Sequence, residues 1–348
     1  DLGGGAYYDI VSNTSLNVNN ATCIQLDNGL YAELHVINDT ISVNQFGAYG
    51  DGVHDDADAI QLTLNSGYKN ISFENKRYKV ITLEHSFHGR TITTVKATGQ
   101  SSMHTANFAP YPDGFSYKSS VAEVYDSIDE QTVAVMIELV QGEGGVQPFD
   151  KKEIQELAKF LKENKILLII DEVQTGVYRT GEFLASNLYE IQPDIVTLAK
   201  GLGGGVPIGA IMTTHKDIFN PGDHGSTFGG NYLVTTAALE VLDILEELKD
   251  SGALDETIIY FNKKLNEIYE NNKELFTNNV GLGLMRGLRA KDADTLALII
   301  KTAFEEGVLV LKAGKNTLRL LPALTISKNE MDEGFKRLER ALNKIKKS

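Results

Sequence analysis

Four apolar runs follow one another along the middle of the chain, and each has the length of a single buried strand. They are VAVMIEL (133–139), ILLII (166–170), DIVTLA (194–199) and GAIMTT (209–214). Between the first two runs, Ile154, Leu157 and Leu161 recur at the period of a helix, and Asp150 stands where it can cap that helix. Continuous apolar strands separated by helices are typical of a mostly parallel sheet with helices on both faces and right-handed crossovers. The sequence therefore predicts an α/β fold.

Charged residues stand at the ends of three of these runs. Glu138 ends the first, Asp171 follows the second and Lys200 follows the third, and glycine-containing turns come after the last two. Ligand sites of parallel α/β sheets lie at the carboxyl ends of the strands. The pattern therefore predicts a functional site at one edge of the sheet, although a single strand also ends at a polar residue simply because it reaches water there.

An amine and a carboxylate on neighbouring strand ends favour one chemistry. Burial lowers the pKa of a lysine, so the neutral amine of Lys200 can form a Schiff base with an aldehyde. The carboxylate of Asp171 can pair with a cationic ring nitrogen. These are the two attachment points of pyridoxal phosphate, and the released lysine can then move the substrate proton. The glycine run 201–205 lacks the spacing and the Gly-Lys-Ser/Thr ending of nucleotide-binding loops.

The last third of the chain has a different pattern, in which long helical segments enclose short strands. The predicted elements are helices near 233–248, around 258–268, and at 292–306 before Gly307; strands at 308–311 and 317–322; and a final helix that begins with a capping box of Ser327 and Glu330. This pattern predicts a C-terminal α+β domain.

Composition argues against several functions. Acidic residues outnumber basic ones by 47 to 33 in the 348-residue chain, whereas a nucleic-acid binder needs a basic face. No run approaches the ~20 apolar residues of a membrane span. No basic start followed by an apolar run marks a secretory signal, so a cytoplasmic location is expected. Cys23 is the only cysteine, so neither an intrachain disulfide nor a cysteine zinc site is possible, and no metal site is predicted.

The first part of the chain differs from the rest. No Lys or Arg occurs before Lys69, and short alternating apolar runs are interrupted by Asn, Asp and Gly. This pattern is typical of short β-strands joined by turns. We therefore predict a boundary at 78–81 and three domains: a β-rich segment 1–80, a pyridoxal-phosphate-binding α/β domain 81–230 and an α+β domain 231–348.

Six stretches, in this order, resemble the class III pyridoxal-phosphate aminotransferases. They are ITLEHSFHGRT (81–91), ELVQGEGGVQP (138–148), LLIIDEVQTGVYRTG (167–181), PDIVTLAKGLGGGVPIGA (193–210), HGSTFGGN (224–231) and LRLLPALTI (318–326). The second, fifth and sixth together are most similar to acetylornithine aminotransferase. The resemblance implies the fold-type I architecture, pyridoxal 5'-phosphate as cofactor, and conversion of N-acetylornithine and 2-oxoglutarate to N-acetylglutamate semialdehyde and glutamate in arginine biosynthesis. Ornithine, succinyldiaminopimelate and 4-aminobutyrate stay open as alternative amino donors.

The same resemblance implies roles for the residues around the cofactor. Lys200 would bond to the cofactor aldehyde, Asp171 would pair with the ring nitrogen, and Gln174 would approach the ring hydroxyl. Phe87 would stack on the ring, and His88 would flank the same face. The implied cofactor site comprises Phe87, His88, Asp171, Glu172, Val173, Gln174, Lys200 and Thr227.

The implied substrate site contains two arginines. Arg90 would clamp the substrate carboxylate, because a planar guanidinium does so bidentately. Glu143 would neutralise Arg319 when a diamine-derived substrate binds, and would swing away when glutamate arrives. Ser226 would lie near the substrate, and Thr227 would reach the cofactor phosphate from the neighbouring subunit of a homodimer.

The family's phosphate-binding turn has no counterpart in this chain. In the family, a Ser-Gly-Thr type of turn opens a helix upstream of the first motif, and the amides of that helix hold the phosphate. Here NSG at 65–67 is followed by YK and lies too close to Phe87. We therefore expect weak retention of the cofactor and little or no turnover.

Residues 38–80 resemble a second, unrelated group of proteins. FGAYGDGVHDDADAI (46–60), followed by ISFENKRYKV (71–80), is similar to the leading segment of right-handed β-helix proteins such as phage tailspikes and pectate-lyase-like enzymes. The chain would then be a chimera, formed by fusion or by merging of two sequences. The alternative function is that of a trimeric tailspike or polysaccharide-binding structural protein, but residues 81–348 contain no β-helix repeat.

Overall fold

The computed structural model describes residues 77–216 and 225–347, together with the backbone of five short strands further upstream. Contacts between residues divide the chain into two compact units. The first comprises Asp1–Tyr78 with Asp129–Gln131, and the second comprises Lys79–Ile128 with Thr132–Ser348. The division into three domains stays a prediction.

The described part of the first unit consists of short strands. β1 (Tyr8–Val11), β2 (Cys23–Gln25) and β3 (Tyr31–Leu34) form an antiparallel sheet in the order β1-β3-β2. β4 (Thr40–Ser42) pairs in parallel with β5 (Asn70–Ser72). The tailspike-like sequence at 46–60 lies outside the described residues. The NSG stretch at 65–67, which we do not identify with the family's phosphate-binding turn, lies outside them as well.

The second unit holds the remaining described elements. Its strands are β6 (Lys79–Leu83), β7 (Phe115–Lys118), β8 (Thr132–Ile137), β9 (Val140–Gln141), β10 (Gln147–Pro148), β11 (Leu167–Asp171), β12 (Ile195–Leu198), β13 (Ala210–Thr213), β14 (Phe276–Leu282), β15 (Met285–Ala290), β16 (Leu311–Ala313) and β17 (Thr317–Leu320). Its α-helices are α1 (Ile92–Ala97), α2 (Val121–Ser127), α3 (Lys151–Glu163), α4 (Ala185–Tyr189), α5 (Tyr232–Asp250), α6 (Ala253–Glu270), α7 (Ala293–Glu305) and α8 (Lys328–Lys347). Short 3-10 turns occupy Ser101–Met103, Ala106–Phe108 and Lys200–Gly203.

Six strands form the main sheet of this unit, in the order β13-β12-β11-β8-β6-β7. Every neighbouring pair is parallel except β12 with β13. The predicted mostly parallel sheet is therefore confirmed, with one antiparallel strand at an edge. Because β8, β11 and β12 are parallel neighbours, their carboxyl ends meet at the same edge.

Helix α3 shows why the sequence between β8 and β11 folds as predicted. The Asp150 carboxylate accepts hydrogen bonds from the backbone N–H groups of Lys152 and Glu153, at 2.9 and 3.1 Å, which satisfies amides that have no partner within the helix. The apolar stripe of the helix is fully buried in one core with β6, β8 and β11. Its members are Ile154, Leu157 and Leu161. Burying a side chain of this size stabilises the fold by about 1.5–3 kcal/mol.

The C-terminal part builds a second, antiparallel sheet in the order β14-β15-β17-β16. Helix α8 begins with the predicted capping box, in which Ser327 Oγ lies 2.7 Å from Glu330 Oε2 and the Ser327 N–H donates to the same carboxylate at 2.9 Å. The predicted core face of this helix is buried, and its members are Met331, Phe335, Leu338 and Leu342.

The predicted strand at 308–311 begins later than expected, because Val308 belongs to the end of helix α7. Gly307 adopts a left-handed φ of 76°, and the Val308 N–H donates to the Ala303 carbonyl at 3.0 Å. This is the hydrogen bond that closes a helix at a C-terminal glycine. Since Val308 is committed to that turn, the strand starts later, at Leu311.

Arg179 connects the two sheets. Its Nη1 donates to the backbone carbonyls of Pro322, at 2.6 Å, and Leu284, at 3.3 Å. Burial lowers the pKa of this guanidinium to about 10. The segment after β11 is thereby attached to the ends of β17 and the β14–β15 turn.

In the described parts of the chain, no helix is both long enough and apolar enough to cross a bilayer. In those same parts, no three His, Cys, Asp or Glu side chains stand where they could hold a metal ion.

Candidate active site

The three charged residues predicted at strand ends lie at one edge of the main sheet. Glu138 follows β8 directly, Asp171 is the last residue of β11, and Lys200 comes two residues after β12. Glu138 and Asp171 are buried, with 3% and 5% of their surfaces exposed. Lys200 has a left-handed backbone with φ of 47°, a strained conformation that clusters at functional sites.

The Asp171 carboxylate is held from both sides. Its Oδ2 lies 2.8 Å from Nδ1 of His88, and its Oδ1 accepts hydrogen bonds from the Val173 N–H at 3.0 Å and the Thr197 hydroxyl at 3.3 Å. Because a carboxylate only accepts, Nδ1 of His88 carries the proton. The structure thus places His88 against Asp171, a contact that the sequence alone did not indicate.

Lys200 is exposed in the single chain, so the expectation of a buried lysine is wrong for this chain alone. The residues that follow it in its 3-10 turn include Gly201 and Gly203, which have no side chains to cover it. Partial desolvation nevertheless lowers the pKa of Lys200, against the opposing attraction of Asp171, Glu143 and Glu138. The amine therefore lies within electrostatic reach of three carboxylates.

Gln174 and Val173 line a cavity of about 150 Å³ next to Lys200. The Gln174 Nε2 is buried and has no hydrogen-bond partner among the described residues. A buried amide donor without an acceptor costs free energy, so such groups call for an explanation such as a ligand. The orphaned nitrogen therefore indicates that an oxygen acceptor of a bound molecule belongs beside Gln174.

Glu143 and Arg319 form an ion pair, as predicted. Arg319 lies on β17 with 8% of its surface exposed, and its Nη1 donates to Glu143 Oε1 at 2.7 Å. The same Nη1 lies 3.4 Å from the Gln174 Oε1. Glu143 stands in the loop between the paired strands β9 and β10.

Two glycines of the loop that carries Glu143 lie close to neighbouring residues. A Cβ added to Gly142 would lie 2.3 Å from the Gln174 Oε1. Gly145, with φ of 109°, leaves only 2.7 Å between such a Cβ and the carbonyl oxygen of Gly314. The loop is therefore in close contact with the Gln174 side chain and with the backbone at Gly314.

Glu138 is a second buried acid at this edge, and no role was predicted for it. Its Oε2 accepts the Phe87 N–H at 2.9 Å, and its Oε1 accepts the Gly142 N–H at 3.3 Å. Burial raises the pKa of Glu138 to about 7, with His88 acting against the shift and Asp171 adding to it. Its position directly after an apolar strand was the signal available in the sequence.

Several predicted site residues lie elsewhere or point away. The Glu172 carboxylate accepts hydrogen bonds from Thr175, Ala185 and Ser186 at the start of helix α4, so its side chain does not join the group around Asp171. Arg90 is exposed, and its guanidinium carbon lies 5.6 Å from the centre of the Phe87 ring.

Ser226 and Thr227 are both exposed in the single chain. Ser226 Oγ accepts only the nearby Gly229 N–H among the described contacts, at 3.2 Å. The structure therefore does not bring these two residues to the other members of the predicted site.

Comparison with known proteins identifies the family to which this chain is similar. The chain matches the family model described as aminotransferase class-III over residues 35–342. An acetylornithine aminotransferase from Wolinella succinogenes is 58% identical over 272 residues, which are 78% of this chain and 69% of that enzyme. The family match includes the whole of the segment 38–80, and the predicted tailspike resemblance of that segment stays a prediction.

Two solved structures share the fold. An ornithine aminotransferase from Toxoplasma gondii, whose structure shows partial occupancy of pyridoxal phosphate at its active site, has a TM-score of 0.72 and 27% identity, covering 83% of this chain and 70% of that one. An N-acetylornithine aminotransferase from Stenotrophomonas maltophilia has a TM-score of 0.62 and 30% identity, covering 78% and 67%. The described architecture is the fold-type I architecture of pyridoxal-phosphate aminotransferases, as predicted. The chain therefore belongs to the class-III aminotransferases.

Proposed function

We propose that this aminotransferase transfers the terminal amino group of N-acetylornithine to 2-oxoglutarate and serves arginine biosynthesis. The observation that carries the proposal is the ion pair between Glu143 and Arg319, whose charges both act on the Lys200 amine. An arginine with a displaceable carboxylate partner suits a site that alternates between substrates with and without a second carboxylate. The 58% identity to the Wolinella enzyme supports the choice of donor.

The described residues fit the ring of pyridoxal phosphate, the cofactor of class III aminotransferases. The buried Asp171 carboxylate suits a cationic ring nitrogen, and the orphaned Gln174 Nε2 suits a ring hydroxyl oxygen. Phe87, which is half-buried and donates its N–H to Glu138, would supply an aromatic face, and such a contact is worth about 1 kcal/mol beyond burial. In this proposal Thr227 of a second subunit holds the phosphate.

Lys200 and Asp171 have different roles in the proposed reaction. When bound, pyridoxal phosphate supplies an electron sink for the negative charge that develops on the substrate carbon. Lys200, with its pKa lowered by desolvation, takes the proton from that carbon as a neutral amine and returns it one step later. Asp171, held by His88, keeps a negative charge next to the ring nitrogen.

Recognition of the second carboxylate depends on Arg319. A buried guanidinium without a partner is costly, so Glu143 neutralises it while a substrate without a second carboxylate is bound. A dicarboxylate such as glutamate or 2-oxoglutarate replaces Glu143 and pairs with the same guanidinium. Arg90, whose guanidinium lies over the Phe87 ring, would hold the other carboxylate.

The donor is tested by comparing four amines in single-turnover reactions of the cofactor-loaded protein. N-acetylornithine is expected to convert the bound cofactor faster than ornithine, succinyldiaminopimelate or 4-aminobutyrate, with the change in visible absorbance as the measurement. A faster reaction with any of the other three would replace N-acetylornithine as the proposed donor.

Glu143→Gln is expected to strengthen binding of glutamate about 10-fold relative to N-acetylornithine. The substitution keeps the shape but removes the charge that competes for Arg319, and a tenfold change corresponds to about 1.4 kcal/mol. The measurement is the ratio of KM values for the two amino donors. The control is Glu163→Gln, at an exposed glutamate at the end of helix α3. An unchanged ratio of KM values in Glu143→Gln would contradict the proposed role of Glu143 in substrate binding.

We expect this chain to retain pyridoxal phosphate weakly and to turn over little, because the family's phosphate-binding turn has no counterpart in its sequence. Each lost hydrogen bond to a charged group is worth about 1.5–3 kcal/mol, so affinity should fall by about 10-fold or more for each missing contact. Gel filtration of the loaded protein, followed by measurement of the cofactor-to-protein ratio, checks this. A stoichiometric ratio with full activity would show that the turn is dispensable.

We propose that the enzyme works as a homodimer. Phe228, Tyr232 and Leu233 are 81%, 93% and 74% exposed and adjoin Thr227 in the sequence. A cluster of large exposed apolar side chains marks an interaction surface, and a second subunit would cover it while bringing Thr227 to the partner's cofactor. Sedimentation analysis that finds only monomers in the loaded protein would contradict this.

We propose that residues 1–80 have a separate, tailspike-like origin and precede an α/β domain at 81–230 and an α+β domain at 231–348. The parallel pairing of β4 with β5 supports this, because successive coils of a β-helix pair in parallel. Sequencing of the gene across residue 80 tests whether the junction is genuine.

We also propose a cytoplasmic location for this protein, because the substrates of the proposed reaction are those of amino-acid biosynthesis.

A further inference from the structure

Glu138 is the buried acid at the active-site edge that the proposed transfer does not use. It follows β8 directly and lies among the ends of β6, β8 and β11, with 3% of its surface exposed. A carboxyl group in such a position is expensive to bury unless its oxygens have partners. The hydrogen-bond partners of the Glu138 carboxylate therefore indicate its role.

The two oxygens of Glu138 hold two different loops. Oε2 accepts the N–H of Phe87, at 2.9 Å, in the loop after β6. Oε1 accepts the N–H of Gly142, at 3.3 Å, in the loop that carries Glu143. One side chain therefore connects the aromatic wall of the site with the residue that neutralises Arg319.

Gly142 directly precedes Glu143, so a change at the Gly142 amide reaches Glu143 through the backbone. Gly142 has no space for a Cβ next to the Gln174 side chain, and the Glu143 carbonyl accepts the Gly314 N–H at 2.8 Å. A displaced Gly142 amide would therefore shift Glu143 relative to Arg319, to which it is hydrogen-bonded at 2.7 Å. Loss of the Glu138 contact should weaken that ion pair.

We propose that Glu138 is a positioning residue that holds Glu143 against Arg319 and thereby sets how strongly the site prefers substrates with a second carboxylate. This inference rests on the proposed roles of Glu143 and Arg319. It does not depend on which amine is the donor.

The preference should also depend on pH. Burial raises the pKa of Glu138 to about 7. The charged groups that face it are His88 after β6, Asp171 at the end of β11 and Lys200 after β12, with Glu143 on its own connection. The hydroxyl oxygen of a protonated Glu138 is a much weaker acceptor than a carboxylate oxygen, so the contact with one loop is weakened as the pH falls through this range.

The test uses two unreactive acids of the same chain length, glutarate with two carboxylates and pentanoate with one. Their dissociation constants are measured by titration of the loaded protein while the visible absorbance of the cofactor is followed. In the wild-type protein the preference for glutarate should increase several-fold as the pH falls from about 8 to about 6, because Glu138 becomes protonated and Arg319 is freed.

Glu138→Gln should bind glutarate about 10-fold more tightly than the wild type at about pH 8, because its amide can accept only one of the two N–H groups. Its preference should no longer change with pH. Glu138→Asp keeps the charge but is too short to reach both loops, so it should show the raised preference even if Glu138→Gln does not fold. Glu163→Gln is the surface control.

Wild-type preference and pH dependence in both Glu138 variants would overturn the proposal. Equal binding of glutarate and pentanoate by the wild type would overturn it together with the role of Arg319. Failure to react with N-acetylornithine, with the glutarate preference intact, would overturn only the proposed donor and would leave the Glu138 result valid.

Discussion

Lys200→Ala is expected to abolish covalent attachment of pyridoxal phosphate and to slow transamination by about 10³-fold or more, which is typical for removal of a nucleophile that also transfers the proton. The structure places this amine within electrostatic reach of Asp171 and Glu143 and lowers its pKa by desolvation. Borohydride reduction of the loaded protein, followed by peptide mass mapping, should find the added phosphopyridoxyl group on Lys200 in the wild type. It should find no modified lysine in the variant.

Lys162→Ala removes a lysine from the last turn of helix α3, away from the site, and serves as the matched control. It should keep the adduct on Lys200 and the same rate of amino-group transfer. An adduct on a different lysine in the wild type, or unchanged transamination in Lys200→Ala, would contradict the assignment of this class of chemistry to Lys200.

Asp171→Asn should slow proton removal from the substrate by about 10²–10³-fold, the cost typical of losing one preorganised electrostatic contact. The substitution keeps the shape and retains an acceptor for the Val173 N–H and the Thr197 hydroxyl. It removes the negative charge beside the ring nitrogen. The measurement is the single-turnover rate with the amino donor.

The same variant has a second, independent effect on Lys200. Because Asp171 raises the pKa of this amine against desolvation, removing its charge should lower the Lys200 pKa further. The pH dependence of Lys200 labelling by an amine-reactive reagent in the cofactor-free protein reports this. A titration that moves to higher pH, or does not move, would show that Asp171 and Lys200 do not interact as described. Asp150→Asn, which alters a helix cap remote from the site, should leave it unchanged.

Patterns of one residue type at a fixed spacing predicted the parts of the fold that depend on local chemistry. The apolar runs predicted β8, β11 and β12, and the parallel order then followed because each crossover contains a helix. Helix α8 was predicted from its capping box because that contact involves only residues three apart. The active-site edge was predicted because Asp171 ends one apolar run and Lys200 stands just after the next.

Contacts between distant residues could not be read in this way. The hydrogen bond from His88 to Asp171 joins residues that are 83 positions apart, and the two amides on Glu138 come from separate loops. Glu172 adjoins Asp171 in the sequence, yet alternation along an extended backbone turns its side chain toward helix α4. The exposure of Lys200 depends on what covers a turn, which no local pattern specifies.

The contacts of Arg179 have a consequence for the size of the enzyme. Its guanidinium is partly buried in the connection after β11 and donates to the carbonyls of Leu284, in the β14–β15 turn, and Pro322, just after β17. A shortened protein that ended after helix α5 would lose both carbonyl acceptors and would expose this partly buried guanidinium to water. The C-terminal part of the chain thus supplies acceptors for a cation of the catalytic part, so a shortened protein is expected to be less stable than the full chain.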